Sequence, residues 1–159
     1  MARSVDGASL SEIEIRRAEP ADHARVIAVL DDWWGGRRMR DMLPKLFFVH
    51  FRDTSFVAER NGELAGFLVG LLSQSEPEEA YVHFVGVGPE ERGSGLGRRL
   101  YERFFAVALD HGRTRVTCVT SPLNEGSVAF HRSLGFEPSP PRADYDGPGE
   151  DRVVLSRAL

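Results

Sequence analysis

One stretch constrains this chain more than any other: AYVHFVGVGPEERGSGLGRRLYERFFAVALDHG, residues 80–112. A β-rich run passes through a glycine loop straight into an amphipathic helix. A strand feeding a helix commits the chain to a layered α/β structure, because the helix must fold back over the sheet to bury its apolar face. The junction also carries chemistry. The first N–H groups of a helix have no partner, and the helix dipole favours an anion there. Gly93, Gly95 and Gly97 let the backbone curl around a phosphate, and Arg92, Arg98 and Arg99 add charge. Spacing excludes two familiar phosphate loops. A GxGxxG fingerprint starting at Gly93 needs glycine where Arg98 stands, and there is no GK[ST]. The bland alternative is a glycine-rich turn that only lets strand and helix pack closely.

The rest of the chain supplies the sheet. SEIEIRRA (11–18) alternates like a half-buried strand, and EPADHARVIAVLDDWW repeats apolar residues at helical spacing up to Gly35-Gly36. Residues 38–51 predict a second helix broken near Pro44. Asn61-Gly62 between TSFVAER and ELAGFLVGLL predicts a type I′ hairpin. RTRVTCVTS (113–121) is a further strand, and NEGSVAFHRSLG a helix capped by Asn124 and stopped by Gly135. FEPSPP, a loop containing DYDGPGED, and the strand VVLSRA close the sequence. The order is β-α-α-β-β-β-α-β-α-β-β, with no internal repeat and no linker. It predicts an α/β (α+β) fold, a mixed sheet with helices on both faces, formed by one domain over residues 11–159 after a disordered start at 1–10.

Net charge is -4 and the pI about 5.7, which argues against a chain built to coat nucleic acid or an anionic membrane. No segment is long and apolar enough to span a bilayer, and the start lacks a signal core, so a cytoplasmic location is expected. The single cysteine, Cys118, reads as a strand core residue, with a reactive thiol as the alternative. No metal is expected.

Two motifs carry a resemblance. Arg92-Gly-Ser-Gly-Leu-Gly97 matches the Q/R-x-x-G-x-G/A pattern of the GNAT superfamily of acyl-CoA-dependent N-acetyltransferases, and FVGVGPEE resembles the strand and turn before it. N-x-x-S-x-x-F-H-x-x-x-G-F, from Asn124 to Phe136, resembles that superfamily's last motif. The resemblance extends over nearly the whole chain. It implies a mostly antiparallel sheet with a splayed parallel pair, and acetyl-CoA as cosubstrate. The pyrophosphate would lie on the loop formed by Arg92, Gly93, Ser94, Gly95, Leu96, Gly97 and Arg98. The pantetheine arm would lie in the splay beside Val85, Gly86 and Val87, with Asn124 and Ser127 touching the cofactor. The implied reaction is direct attack of a small-molecule or peptide amine on the thioester. A homodimer is possible in such a family.

One departure stands out. Where the family usually carries a tyrosine that protonates the leaving thiolate, this chain has His131. Three roles are open: His131 as the acid, His131 packing or hydrogen-bonding near the cofactor, or another donor such as Tyr145. For the base, period two places Tyr81, His83, Val85 and Val87 on one face of the strand before the loop. His83 is the leading titratable candidate and Glu79 the next, against a histidine that merely completes the sheet. The acceptor site is expected from DDWWGGRR and DYDGPGED. Trp33, Trp34 and Tyr145 would wall it, and Asp31, Asp32, Asp144 and Asp146 would attract a cation; the alternative is a core tryptophan and a solvated acidic rim.

Overall fold

The computed structural model describes residues 12–159; the expected disordered start lies outside them. Seven strands form one sheet: β1 (Ile13–Arg17), β2 (Phe56–Arg60), β3 (Glu63–Leu72), β4 (Glu79–Val87), β5 (Arg115–Thr120), β6 (Glu137–Pro138) and β7 (Val153–Ala158). Their spatial order is β1-β2-β3-β4-β5-β7-β6. Every neighbouring pair is antiparallel except β4 with β5. Four helices cover it: α1 (Asp22–Trp33), α2 (Leu46–His50), α3 (Leu96–Asp110) and α4 (Glu125–Ser133). The predicted second helix is shorter than expected. Pro44 cannot donate within a helix, so Arg40–Met42 forms a separate 3-10 turn and α2 begins at Leu46. None of the helices among the described residues is long and apolar enough to cross a membrane.

The Asn-Gly hairpin forms as the sequence predicts. Asn61 and Gly62 have φ of 51° and 79°, the left-handed pair that a type I′ turn requires, and Arg60 pairs with Glu63. Two apolar clusters sandwich the sheet. On one face Val26, Leu30, Phe48, Val57, Phe67 and Phe84 pack under α1 and α2. On the other Leu68, Val82, Leu100, Tyr101, Phe104 and Phe136 pack under α3.

Two irregularities in β4 make the site. First, the parallel ladder with β5 runs only from Glu79–Arg115 to Val82–Cys118, so the strands part beyond it and leave one edge of β4 without a strand partner. Second, Val69 pairs with Phe84 but Gly70 pairs with Val82, so His83 is an extra residue in a β-bulge. A bulge inverts the alternation of side chains. Val82 therefore joins the α3 cluster with Val85 and Val87 packed against it, while Phe84 joins the α1 cluster. The period-two face of Tyr81, His83, Val85 and Val87 does not hold through the strand.

Candidate active site

The parted strands open into a cleft of about 640 Å³ that runs from the glycine loop past Val85, Gly86 and Val87 to Asn124 and His131. All twelve residues assigned to the cofactor lie on or beside this cleft, and eleven of them line it; Ser94 sits in the loop itself, its hydroxyl turned back onto the Glu91 carbonyl. The loop has a firm base. Glu91 pairs with Arg60 of β2 at 2.7 Å, and Arg92 donates to the Trp33 carbonyl at 2.8 Å. Gly95 caps α3 with φ of 88°, a left-handed conformation that L side chains avoid. The Arg99 amide is returned to the Gly95 carbonyl, while among the described residues the first-turn amides of Leu96, Gly97 and Arg98 have no partner and are free to meet an anion. A cradle of amides, an arginine at each end and an unpaired strand edge fit an elongated molecule carrying phosphates and amide groups.

A second pocket of about 670 Å³ adjoins the cleft. Trp34, Arg37, Val85, Asn124, Ser127 and His131 line both, so they mark the junction where two bound molecules would meet. Both tryptophans serve core and cavity together. Trp33 stacks on Phe67 at 5.9 Å and Trp34 meets Phe84 edge-on at 5.4 Å, while each indole also borders the cleft. Asn124 caps α4 as expected, accepting the Ser127 amide at 3.1 Å.

His83 lines the second pocket. Its ring stacks on Phe47 at 4.5 Å, and Nε2 lies 2.6 Å from the Met42 carbonyl. A carbonyl only accepts, so Nε2 carries the hydrogen and Nδ1 keeps its lone pair. Burial lowers the imidazole below its ordinary 6.5, only partly offset by the bond to Met42, so the neutral ring prevails at neutral pH. Glu79, the other base candidate, is the first residue of β4 and pairs with Arg115 at 3.0 Å, away from both cavities.

His131 is buried, with 4% of its surface exposed. Nδ1 lies 2.7 Å from the Ser127 carbonyl and therefore donates to it; Nε2 lies 2.6 Å from the Tyr101 hydroxyl and accepts from it. Burial keeps this ring neutral too. Both nitrogens are engaged, so the ring has no N–H to spare for a thiolate. Tyr101, from α3, is fully buried, and the sequence alone does not single it out. Its spacing from Gly97 and Phe104 on the inner face of α3 was the available signal. Cys118 completes the polar core beside Tyr101, and burial pushes its thiol up to about 12, the property of a core residue rather than a nucleophile.

The expected acidic rim is mostly structural. Asp31 accepts the amides of Met39 and Arg40, and Asp144 accepts that of Gly149. Asp146 lines the pocket beside Tyr145 but pairs with Arg152 at 2.9 Å, and Glu150 takes the same guanidinium at 2.9 Å. These bonds give the DYDGPGED loop its fixed shape.

The sequence comparison identifies the family to which this fold and cleft belong. The Acetyltransferase (GNAT) family model matches residues 14–136, and the chain belongs to that family. Over 84 residues it is 37% identical to an L-2,4-diaminobutyric acid acetyltransferase of Nocardia farcinica, covering 53% of this chain and 44% of that protein. The chain thus matches under half the length of that relative. Over 128 residues it is 28% identical to a 5-NmdU N-acetyltransferase of Pseudomonas phage PaMx11, covering 78% of this chain and 86% of that one. The diaminobutyrate acetyltransferase EctA of Paenibacillus lautus, solved with L-2,4-diaminobutyric acid and coenzyme A, shares the fold with a TM-score of 0.69 at 21% identity, covering 91% and 94% of the two chains.

Proposed function

We propose that this chain transfers the acetyl group of acetyl-CoA to an amine by direct attack on the thioester. The observation that carries this reading is the junction: a phosphate-cradling cleft along the open edge of β4 runs into a second pocket with a titratable residue on its wall. The names of the relatives, one acting on a diamino acid, support a small-molecule amine as acceptor. The net charge of -4 supports an enzyme without a nucleic-acid or anionic-membrane partner.

The chain's residues divide the work. The amides of α3 and Arg92 and Arg98 hold the pyrophosphate, and the β4 edge at Val85–Val87 orients the pantetheine. An alkyl amine is mostly protonated at neutral pH, so a base must free its lone pair. Nδ1 of His83 takes that proton, while Nε2–H stays on the Met42 carbonyl and steadies the cation. A backbone N–H at Val85 or its neighbour faces the carbonyl oxygen as charge develops on it. The amine nitrogen bonds the acetyl carbon and the C–S bond breaks; of the two protons that the alkylammonium gives up, one ends on the sulfur and the other leaves through His83 to solvent. A thiol leaves readily at its ordinary pKa near 8.5, so little acid assistance is needed. His131 packs beside the cofactor and fixes Ser127 and α4, in place of the family's tyrosine.

Calorimetry tests the cofactor half of this reading. Saturable binding of acetyl-CoA, with none of ATP or NADPH, is expected. No acetyl-CoA binding would overturn it; binding without thiol release from any amine would leave a non-catalytic acyl-CoA-binding module. The base is tested by His83→Ala, which should lower kcat by about 100-fold or more. Because the neutral ring is the active form and its pKa is lowered, the native acid limb should fall below pH 6.5. Loss of stability alone, with kcat intact, would return His83 to a purely structural role.

A further inference from the structure

The second pocket has two electrical ends. Asp146 and Glu150 share the single guanidinium of Arg152, so that group keeps one net negative charge. These three residues line the second pocket and not the cofactor cleft. Arg37 lines both, at the junction. Among the described residues, the only hydrogen bond of its side chain runs from Nε to the Trp34 carbonyl at 3.3 Å, and no carboxylate pairs with it. Its terminal nitrogens are therefore open donors at the point where acceptor and thioester meet. Gly35 and Gly36, with φ of 71° and 84°, turn the chain after α1 and deliver Arg37 there. Burial keeps five other titratable side chains of the pocket, Tyr81, His83, Tyr101, Cys118 and His131, uncharged at neutral pH. His83 and His131 are held neutral by burial, and burial pushes the Tyr81 phenol up to about 12.

A site built this way disfavours a plain polyamine. Such a molecule would place one cation against the acidic group and another beside Arg37, where like charges repel. It favours a molecule with an ammonium group and a carboxylate. A guanidinium matches a carboxylate with two parallel N–H bonds, which fixes orientation as well as charge.

We propose that the acceptor is an amine that also bears a carboxylate, of the amino-acid class, with Arg37 binding the carboxylate and the Asp146–Glu150–Arg152 group facing the cationic end. This rests on the acetyl-transfer reading and narrows its acceptor. Arg92 and Arg98 already serve the glycine loop, so Arg37 is assigned to the acceptor rather than to the cofactor phosphates.

Thiol release from acetyl-CoA would be followed with two matched sets: lysine, lysinamide and cadaverine, and ornithine, ornithinamide and putrescine. The free acids should exceed the amides and the diamines in kcat/KM by about 10- to 100-fold, the range of a hydrogen bond to a charged group. Arg37→Gln should collapse that ratio through the KM of the acid, and Arg37→Lys should restore part of it. Equal or better turnover of amides or diamines would overturn the proposal and leave acetyl transfer standing. A calorimetric loss of acetyl-CoA affinity in Arg37→Gln, with the acid preference unchanged, would reassign Arg37 to the cofactor. Absence of thiol release from every amine would remove both readings.

Discussion

Gly97→Val should abolish acetyl-CoA binding, weakening it by at least about 100-fold while the protein stays folded. A Cβ on Gly97 would lie 2.8 Å from Cζ and 3.1 Å from Cε2 of Phe130. Phe130 cannot simply swing away. It packs against the rings of Tyr101 and His131, at 6.1 and 5.2 Å between centroids. Relief has to come from α4 as a body, moving off the start of α3. That motion breaks the Arg98 bond to the Ser133 carbonyl, 3.0 Å long, and shifts Asn124, Ser127 and His131 at the junction. Overpacking of this kind costs about 1–3 kcal/mol of a stability of about 5–15, so the fold should survive. Calorimetry with acetyl-CoA, alongside a melting curve, reads the two effects apart. Native affinity in a folded Gly97→Val would mean that α3 and α4 do not jointly shape the cleft.

The glycine loop and the hairpin were legible in the sequence because their signals are local. Gly93, Gly95 and Asn61-Gly62 take left-handed backbone conformations that other residues resist, and Gly97 admits the Phe130 ring where a Cβ would clash. The order of elements was legible for the same reason, since each has its own period and punctuation. What the sequence hid was created by pairing. The bulge at His83 arises from the register between β3 and β4, and no feature of YVHFV announces that the alternation will invert there. Period two therefore put His83 and Val85 on one face, although each in fact borders the second pocket from its own side of the inversion. The bonds that engage His131 come from Ser127, one turn earlier, and from Tyr101 on another helix. The acidic residues around the second pocket could be counted from the sequence, but their pairing with Arg152 and with loop amides could not. Side-chain chemistry is written in the chain; which charges are left over is decided only by the fold.

Loss of Asp22 should be the most damaging change to stability away from the site. Asp22 is 3% exposed at the first residue of α1. Its two oxygens take the fork of Arg16 from β1, at 2.9 Å each, and also Arg25 and the Glu19 amide. Glu59 of β2 bonds the same two arginines, at 2.7 and 3.1 Å. The cluster thus ties α1 to the sheet edge, and the far end of α1 carries Trp33 and Trp34 into the cleft. Removing one partner of a buried pair costs about 3–5 kcal/mol, because the remaining charges stay desolvated. Asp22→Asn should therefore lower the melting temperature by about 10 °C at pH 7. The pH dependence follows from the direction of the shift. Burial would raise the Asp22 carboxyl, but the Arg16 bonds and the Glu19 amide outweigh it and hold the group below 3.8; the same arginines lower Glu59. A depressed folded-state pKa adds stability above the unfolded value and loses it as pH falls through the folded one. The gap between native protein and Asp22→Asn should then be full above about pH 5 and close progressively below it. A gap that stayed constant down to pH 3 would show that the shape of the side chain, not its charge, holds α1 in place.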